Sequence, residues 1–374
     1  MSPPYWLEEP ARPLLSSALD GPPDVEIVGG GVTGCSCALA LVRAGLRVRL
    51  FEARTVAAGA SGRNGGFALR GGAMSYASAR EWLGADLAAA YWRLTETYVE
   101  RLEELGGDAF RRTGSLRLAA ADELDEVRAE YDALREDGFA AEWRAHLPAP
   151  LDGRFAGALV HPRDGLLQPA RLVRRLAAAA ARAGVEIREH HHVAALETLE
   201  APNVVIATDG YPSGLLGDLE GLIIPTRGQM VATEPLPEQL FPLPHYGRHG
   251  YDYWHQNDEG RLLVGGFRDA DMDSEFTAVE ETTPRIQGAL EEFVEELLGR
   301  RPEITHRWAG VFGLVPDLMP VVGRVPGHDR LWVAGGYSGH GNVLGLMCGE
   351  LAARAIIGEE QPLLEPMSPS RLLA

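Results

Sequence analysis

The apolar positions fall into short buried runs alternating with helical stripes. After a proline-containing lead to Pro23, Asp24–Val28 reads as a strand, Val32–Ala44 as a helix stopped by Gly45, and Val48–Phe51 as a second strand, which together make one βαβ unit. A long amphipathic helix is predicted over Glu81–Leu105, with Leu83, Leu87, Leu94 and Leu105 among its apolar positions and Gly106-Gly107 as its stop. Another helix runs from Pro169, a favourable first-turn residue, to Ala183, with Gly184 ending it and a strand at Val185–Ile187 following. The run VVIATDG gives a buried strand from Val204. Between Gln229 and Phe267 the runs QMVAT, YDYW and RLLVGGF, separated by Pro, Gly, Asn and Asp, predict an antiparallel sheet. Helical periodicity returns at Ile286, Leu290, Phe293, Val294 and Leu297, and the last strand, LWVAGG, runs straight into a helix beginning near Gly341. The α/β pieces thus lie at the beginning, middle and end, which predicts two interleaved domains rather than two consecutive ones.

The segment VGGGVTG sets GxGxxG on Gly29, Gly31 and Gly34 between a strand and a helix. Gly29 allows the tight turn, Gly31 lets a pyrophosphate approach the backbone, and Gly34 lets the helix pack close to the strand, so that phosphates sit on the helix N-terminus at Val32 and Thr33. Glu52 ends the next strand, 18 positions after Gly34, where a carboxylate accepts hydrogen bonds from ribose hydroxyls. An acid there disfavours NADP and leaves NAD and FAD. Two further glycine-rich stretches decide between these: GASGRNGGF (Gly59–Phe67) and GGYSGHGN (Gly335–Asn342), the latter at a second strand-to-helix turn. A flavin gains negative charge at N1 and C2=O on reduction, and a second helix N-terminus aimed there stabilises it. The fold class expected is α/β, with a Rossmann-like FAD-binding domain (24–75, 155–215 and 306–360) interleaved with an antiparallel-sheet substrate domain (76–154 and 216–305), and residues 1–23 as a lead.

Composition narrows the chemistry. Of 374 residues, 35 are basic against 53 acidic, a formal charge of −18, and every basic residue is arginine. Without lysine, Schiff-base catalysis, a Walker A phosphate site and a lysine general base are excluded. The acidic balance argues against nucleic-acid partners and anionic membranes. The N-terminus MSPPYWLEEPARP lacks a basic start followed by an apolar run, and no stretch approaches the roughly 18 apolar residues of a membrane span, so a cytoplasmic location is expected. Three cysteines make no disulfide framework, and Cys35 and Cys37 are expected as buried packing residues of the first helix. His190-His191-His192 invites a metal reading, but a solvated strand end is preferred and no metal is expected. Glu26 and Arg49, each three positions before its landmark, Gly29 or Glu52, are predicted to meet as a cross-strand ion pair.

In these motifs the chain resembles the FAD-dependent D-amino-acid oxidase superfamily of the glycine and sarcosine oxidase type, with GASGRNGG most similar to the γ-glutamylputrescine oxidase branch. The resemblance extends from VEIVGGGVTG through GLLQPARL, VVIATDG and RWAG to GYSGHGN. It implies that Gly29, Gly31 and Gly34, with Val32 and Thr33, cradle the FAD pyrophosphate. Glu52, with Ala53 and Arg54, holds the ribose, and Ala60, Ser61, Arg63, Asn64, Gly65 and Gly66 run past the flavin. Val193 contacts adenine; Ala207, Thr208 and Gly210 form the strand end near the cofactor. Gly339, His340, Gly341 and Asn342 face the pyrimidine end of the ring. The positions that carry a flavin-linking cysteine or histidine in related enzymes fall on Gly310 and Arg63, so FAD is expected to be non-covalent.

The arginine that holds an α-carboxylate after the WAG motif in such enzymes corresponds here to Phe312, which implies an amine without a neighbouring carboxylate. The alternative is an amino-acid oxidase whose anchor has moved, to Arg227, Arg248 or Arg268. Tyr253 and His340 are the candidate catalytic residues, and Tyr253, Trp254, Phe267 and Phe312 the candidate substrate pocket, although core packing is the stronger reading for Trp254 and Phe267 individually. The expected reaction oxidises the C–N bond of a small amine to an imine by hydride transfer to flavin N5. Oxygen is the expected acceptor, giving hydrogen peroxide, with a dehydrogenase or flavin subunit serving a protein partner as the other possibility. The oxygen-activating lysine of sarcosine oxidase corresponds to Leu263, leaving His340, Arg63 or the substrate to supply that charge.

Overall fold

The structure, a computed structural model, describes residues 2–373. Its six-stranded sheet follows the order Val321–Arg324, Leu331–Gly335, Asn203–Ile206, Val25–Val28, Val48–Phe51, Glu186–Arg188, parallel except for the first pair. The four central strands are almost wholly buried, as strands covered on both faces must be. On one side lie the helices Val32–Arg43 and Gly341–Ile356, packed so closely that a Cβ on Gly349 would stand 2.1 Å from Ser36 Oγ. This close packing brings both helix N-termini to the carboxyl ends of the strands, where ligands of open α/β sheets bind.

The second sheet has eight strands in the order Ile304–Leu314, Ile224–Pro235, Arg261–Gly266, Asp252–Gln256, His245–Gly247, Ser115–Ala119, Gly157–His161, Glu142–Arg144. It is antiparallel apart from the pairing of His245–Gly247 with Ser115–Ala119. Gly157–His161 and Ile304–Leu314 both belong to this sheet, and Ile304–Leu314 is followed directly by Val321–Arg324 of the six-stranded sheet, so the chain crosses between the two sheets there. A small three-stranded sheet of Phe67–Ala68, Gly165–Leu167 and Phe110–Arg112 lies between. Pro284–Leu298 is the helix expected from Ile286 to Leu297, and its apolar face covers the eight-stranded sheet.

The predicted helix over Glu81–Leu105 is two helices, Tyr76–Leu83 and Ala85–Gly106. Gly84, at φ +81°, breaks the chain between them, and Ser75 caps the first by accepting the Ser78 N–H. The apolar periodicity continues through Gly84, so the pattern does not show the break. The cysteines are buried packing residues as expected. No helix of the described residues is long and apolar enough to cross a membrane.

Glu26 and Arg49 stand level on adjacent parallel strands, with Arg49 Nη1 donating to Glu26 Oε1 at 3.0 Å. Arg49 also binds Glu186 at 2.8 Å and Glu200 at 2.9 Å. The second oxygen of Glu26 accepts the backbone N–H groups of Glu200 and Ala201, which ties the loop before Asn203–Ile206 to the sheet. Glu26 is 1 % exposed, so removing its cation strands a buried charge. Arg49→Met is expected to cost about 3 kcal/mol in urea unfolding; a loss below about 1 kcal/mol would show that the backbone donors suffice.

Candidate active site

The first turn is built around one carboxylate. Glu52 accepts the Gly30 N–H on one oxygen and the Arg54 N–H on the other, both at 2.8 Å, which fixes it at the end of its strand beside the glycine loop. Gly29, at φ +116°, is required twice, because its backbone conformation excludes side chains and a Cβ would approach Ala207 O to 2.5 Å. Val32 N–H, at the start of the helix, donates to Ser61 Oγ at 3.0 Å, and Thr33 Oγ1 meets Tyr337 Oη at 2.9 Å. These bonds tie all three glycine-rich segments together.

The loop Gly59–Phe67 is held from several sides. Asn64 donates to Ala60 O and to Asn342 Oδ1, and accepts from Gly66 N–H. Asn342 in turn donates to Phe67 O at 2.8 Å. Arg63 donates to Ala58 O and Ala309 O and pairs with Glu280 at 3.2 Å. Trp6, in the lead segment, is buried and donates to Asn64 O at 2.7 Å. Asp209, unremarked in the sequence, accepts Gly313 N–H at 2.9 Å and Gly336 N–H at 2.8 Å. Burial pushes its carboxyl upward, and these backbone donors pull it back toward the ionised form.

A cavity of about 1320 Å³ opens along these loops and continues between the two large sheets. Small-molecule pockets usually hold about 300–1,000 Å³, so the space accommodates an extended dinucleotide and a substrate together. At one end it is lined by Gly29, Gly31, Val32, Thr33, Glu52, Ala53 and Arg54, with Val193, Ala207 and Thr208 alongside. Ala60, Ser61, Arg63, Asn64 and Gly65 form the middle, and Gly339, His340, Gly341 and Asn342 approach from the C-terminal turn. Tyr253 and Phe312 line the part within the eight-stranded sheet. These residues fit FAD: two helix N-termini, a fixed carboxylate and a buried unpartnered His340 Nδ1 converge on one space.

Five sequence-predicted residues stand outside the cavity lining. Gly34, Gly66 and Gly210 serve close approach: Cβ atoms there would meet Gly29 O at 1.9 Å, Leu167 O at 2.6 Å and the Phe312 carbonyl carbon at 2.3 Å. Trp254 and Phe267 are corrected from pocket to core. Trp254 is 1 % exposed and stacks on His245 at 5.4 Å, while Phe267 packs on Phe293 at 5.1 Å, because alternation along Asp252–Gln256 turns Trp254 away from the face that carries Tyr253. His340 is corrected as a source of positive charge, since burial lowers its pKa to about 4 and leaves it neutral at physiological pH. Leu263 is fully buried in its strand.

Other cavity residues were not assigned to the site from the sequence. Glu280, from the segment before Pro284–Leu298, pairs with Arg54 at 2.6 Å and accepts the Tyr211 hydroxyl, joining the outer wall of the nucleotide end. His191 and His192 line the cavity because the strand ends at Arg188 and His190 turns at φ +56°; His191 stacks on Phe51 at 4.7 Å. Among the described residues no group of three His, Cys, Asp or Glu is placed to hold a metal. Burial pushes the Tyr253 hydroxyl up to about 12, with the Arg268 cation pulling it down.

Comparison with known proteins agrees with this geometry. Residues 24–355 match the family described as FAD dependent oxidoreductase. The chain is 28 % identical to γ-glutamylputrescine oxidoreductase of Escherichia coli, over 90 % of this chain and 84 % of that protein. It is 27 % identical to glycine oxidase of Bacillus licheniformis, over 90 % and 93 % respectively. The crystal structure of glycine oxidase from Geobacillus kaustophilus superposes with a TM-score of 0.76 at 25 % identity, covering 93 % of this chain and 98 % of that one. The chain therefore belongs to the FAD-dependent oxidoreductases of the D-amino-acid oxidase family, enzymes that act on the C–N bond of amines and amino acids.

Proposed function

We propose that the protein oxidises a small amine to its imine, which water hydrolyses to a carbonyl product, with oxygen as acceptor and hydrogen peroxide as product. The observation that carries this reading is the chamber in which Tyr253 and Phe312 face the Gly65 turn. A Cβ on Gly65 would meet the Tyr253 ring at 3.1 Å, and one on Gly228 would meet the Phe312 ring at 3.7 Å and Tyr253 Oη at 3.9 Å. FAD, when bound, would supply the two-electron acceptor for the hydride leaving the carbon next to nitrogen.

The chain's own residues then have limited, definite tasks. Gly29, Gly31, Val32 and Thr33 would hold the pyrophosphate and Glu52 the ribose hydroxyls. Ser61 to Gly65 and Gly339 to Asn342 would hold the ring. Tyr253 keeps its proton at neutral pH and acts as a hydrogen-bonding wall, and the neutral His340 imidazole does the same from the C-terminal turn. Neither serves as a base across the physiological range, so the amine reaches the site by losing its proton to solvent, and positioning does the rest.

Four tests follow from these assignments. Flavin reduction is expected to rise with pH along the substrate ammonium alone, because a His340 pKa near 4 places its titration below the working range; an inflection between pH 5 and 8 that His340→Asn abolishes would overturn this. Acid precipitation is expected to leave all the yellow colour in the supernatant, since Gly310 and Arg63 offer no linking atom and the three cysteines are buried away from the cavity; colour in the pellet would contradict it. Tyr253→Phe is expected to lower the rate of anaerobic flavin bleaching by about tenfold or more with FAD content intact, and unchanged kinetics would remove Tyr253 from the site. Readmitting air distinguishes the acceptor: rapid reoxidation with peroxide marks an oxidase, slow reoxidation a dehydrogenase.

A further inference from the structure

Five arginines line the cavity, and four have a carboxylate partner. Arg54 and Arg63 share Glu280, Arg70 binds Glu96 at 2.7 Å, and Arg117 binds Glu126 at 2.6 Å and also Glu130. Arg268 has no carboxylate partner among the described residues, and its Nε is buried without a hydrogen bond. This is anomalous in a chain with 53 acidic residues and a formal charge of −18. A guanidinium on the wall of an open cavity, without a carboxylate partner and with a buried, unbonded N–H, is a donor that an anion satisfies best.

The other two arginines weighed for anchoring a carboxylate are occupied. Arg227 is buried and bound through Nε and Nη2 to both oxygens of Glu275, at 2.9 and 2.8 Å. Arg248 is held by Asp252 at 2.5 Å and Asp269 at 2.6 Å. The Arg268 guanidinium instead stands 4.4 Å from the Tyr251 ring centroid and 5.8 Å from that of Phe312. Both rings line the cavity, and the Arg268 charge acts on Tyr253. Stacking on ring faces fixes the guanidinium plane and leaves its N–H edge as the free donor surface, the edge that a carboxylate engages through two parallel bonds.

We propose that Arg268 is the specificity-determining residue of this site and that the amine it selects carries a carboxylate, docked on Arg268 while Tyr253 and Phe312 border the reacting carbon. The positive charge absent at Phe312 is thereby supplied from just past Arg261–Gly266, two strands away in the sheet, against the same aromatic ring. This rests on the amine-oxidising reading for the identity of the reacting group, but the anchor itself is testable without turnover.

Purified holoenzyme is titrated with propionate and with propionamide, which match in shape and differ in charge, and binding is read by calorimetry and by the flavin absorbance shift. Wild type is expected to bind propionate about tenfold or more tighter than propionamide. Arg268→Leu is expected to erase the difference with FAD content unchanged, and Arg268→Lys to restore part of it. Equal affinity of the two probes for wild type, which needs no variant to fold, overturns the proposal, as does undiminished propionate preference in Arg268→Leu. Anaerobic bleaching by alanine against ethylamine is run in parallel. Absence of bleaching by a panel of amines with the propionate preference intact would reject the amine reading and leave the anchor standing.

Discussion

The active site depends on a single buried carboxylate at a point where both large sheets meet. Asp209 lies just past the central strand Asn203–Ile206, and its two oxygens hold Gly313 near the end of Ile304–Leu314 and Gly336 at the turn into the C-terminal helix. One side chain thus fixes the substrate sheet, the flavin-facing turn and the nucleotide-binding sheet relative to each other. Its left-handed backbone, at φ +50°, and the absence of a Cβ on Gly210 allow the Phe312 backbone to come within contact distance. A carboxylate in such a place is tolerated because backbone N–H groups surround it and offset the burial that pushes its pKa upward.

Sequence reasoning worked where chemistry is local. The βαβ unit, its glycine loop and Glu52 are contiguous, and the pairing of Glu26 with Arg49 follows from counting back along two adjacent strands. The two later glycine-rich turns were also legible, because glycine at a strand-to-helix junction has a backbone reason to be there. What stayed hidden depends on contacts between distant segments. Asp209 looks like any loop aspartate, Glu280 lies in a run of polar residues, and Trp6 in the lead has no neighbour in sequence that predicts its bond to Asn64. Trp254 and Tyr253 are adjacent in sequence, yet the strand pleat sends one to the core and the other to the cavity.

The lack of lysine takes on a different meaning in the folded chain. Arginine forks suit fixed, planar pairing, and here most of those near the cavity are spent on structural carboxylates or backbone oxygens. Arg63, which lies against the flavin-side loop, is immobilised by Ala58 O, Ala309 O and Glu280. Charge in the site is therefore set by geometry that pH does not change, in keeping with a neutral His340 and a protonated Tyr253.

The pairing of Asn64 with Asn342 joins residues 278 positions apart. The loop Gly59–Phe67 emerges early in synthesis, yet its geometry is completed by the last α-helix in the chain, and Trp6 closes it from the opposite end. Non-local closure of this kind is slow because loop entropy is lost before contacts compensate. The cofactor pocket is therefore complete only when both ends of the chain are in place, and a chain lacking its final helix loses Asn342, which holds the loop Gly59–Phe67, and the packing surface of Val32–Arg43.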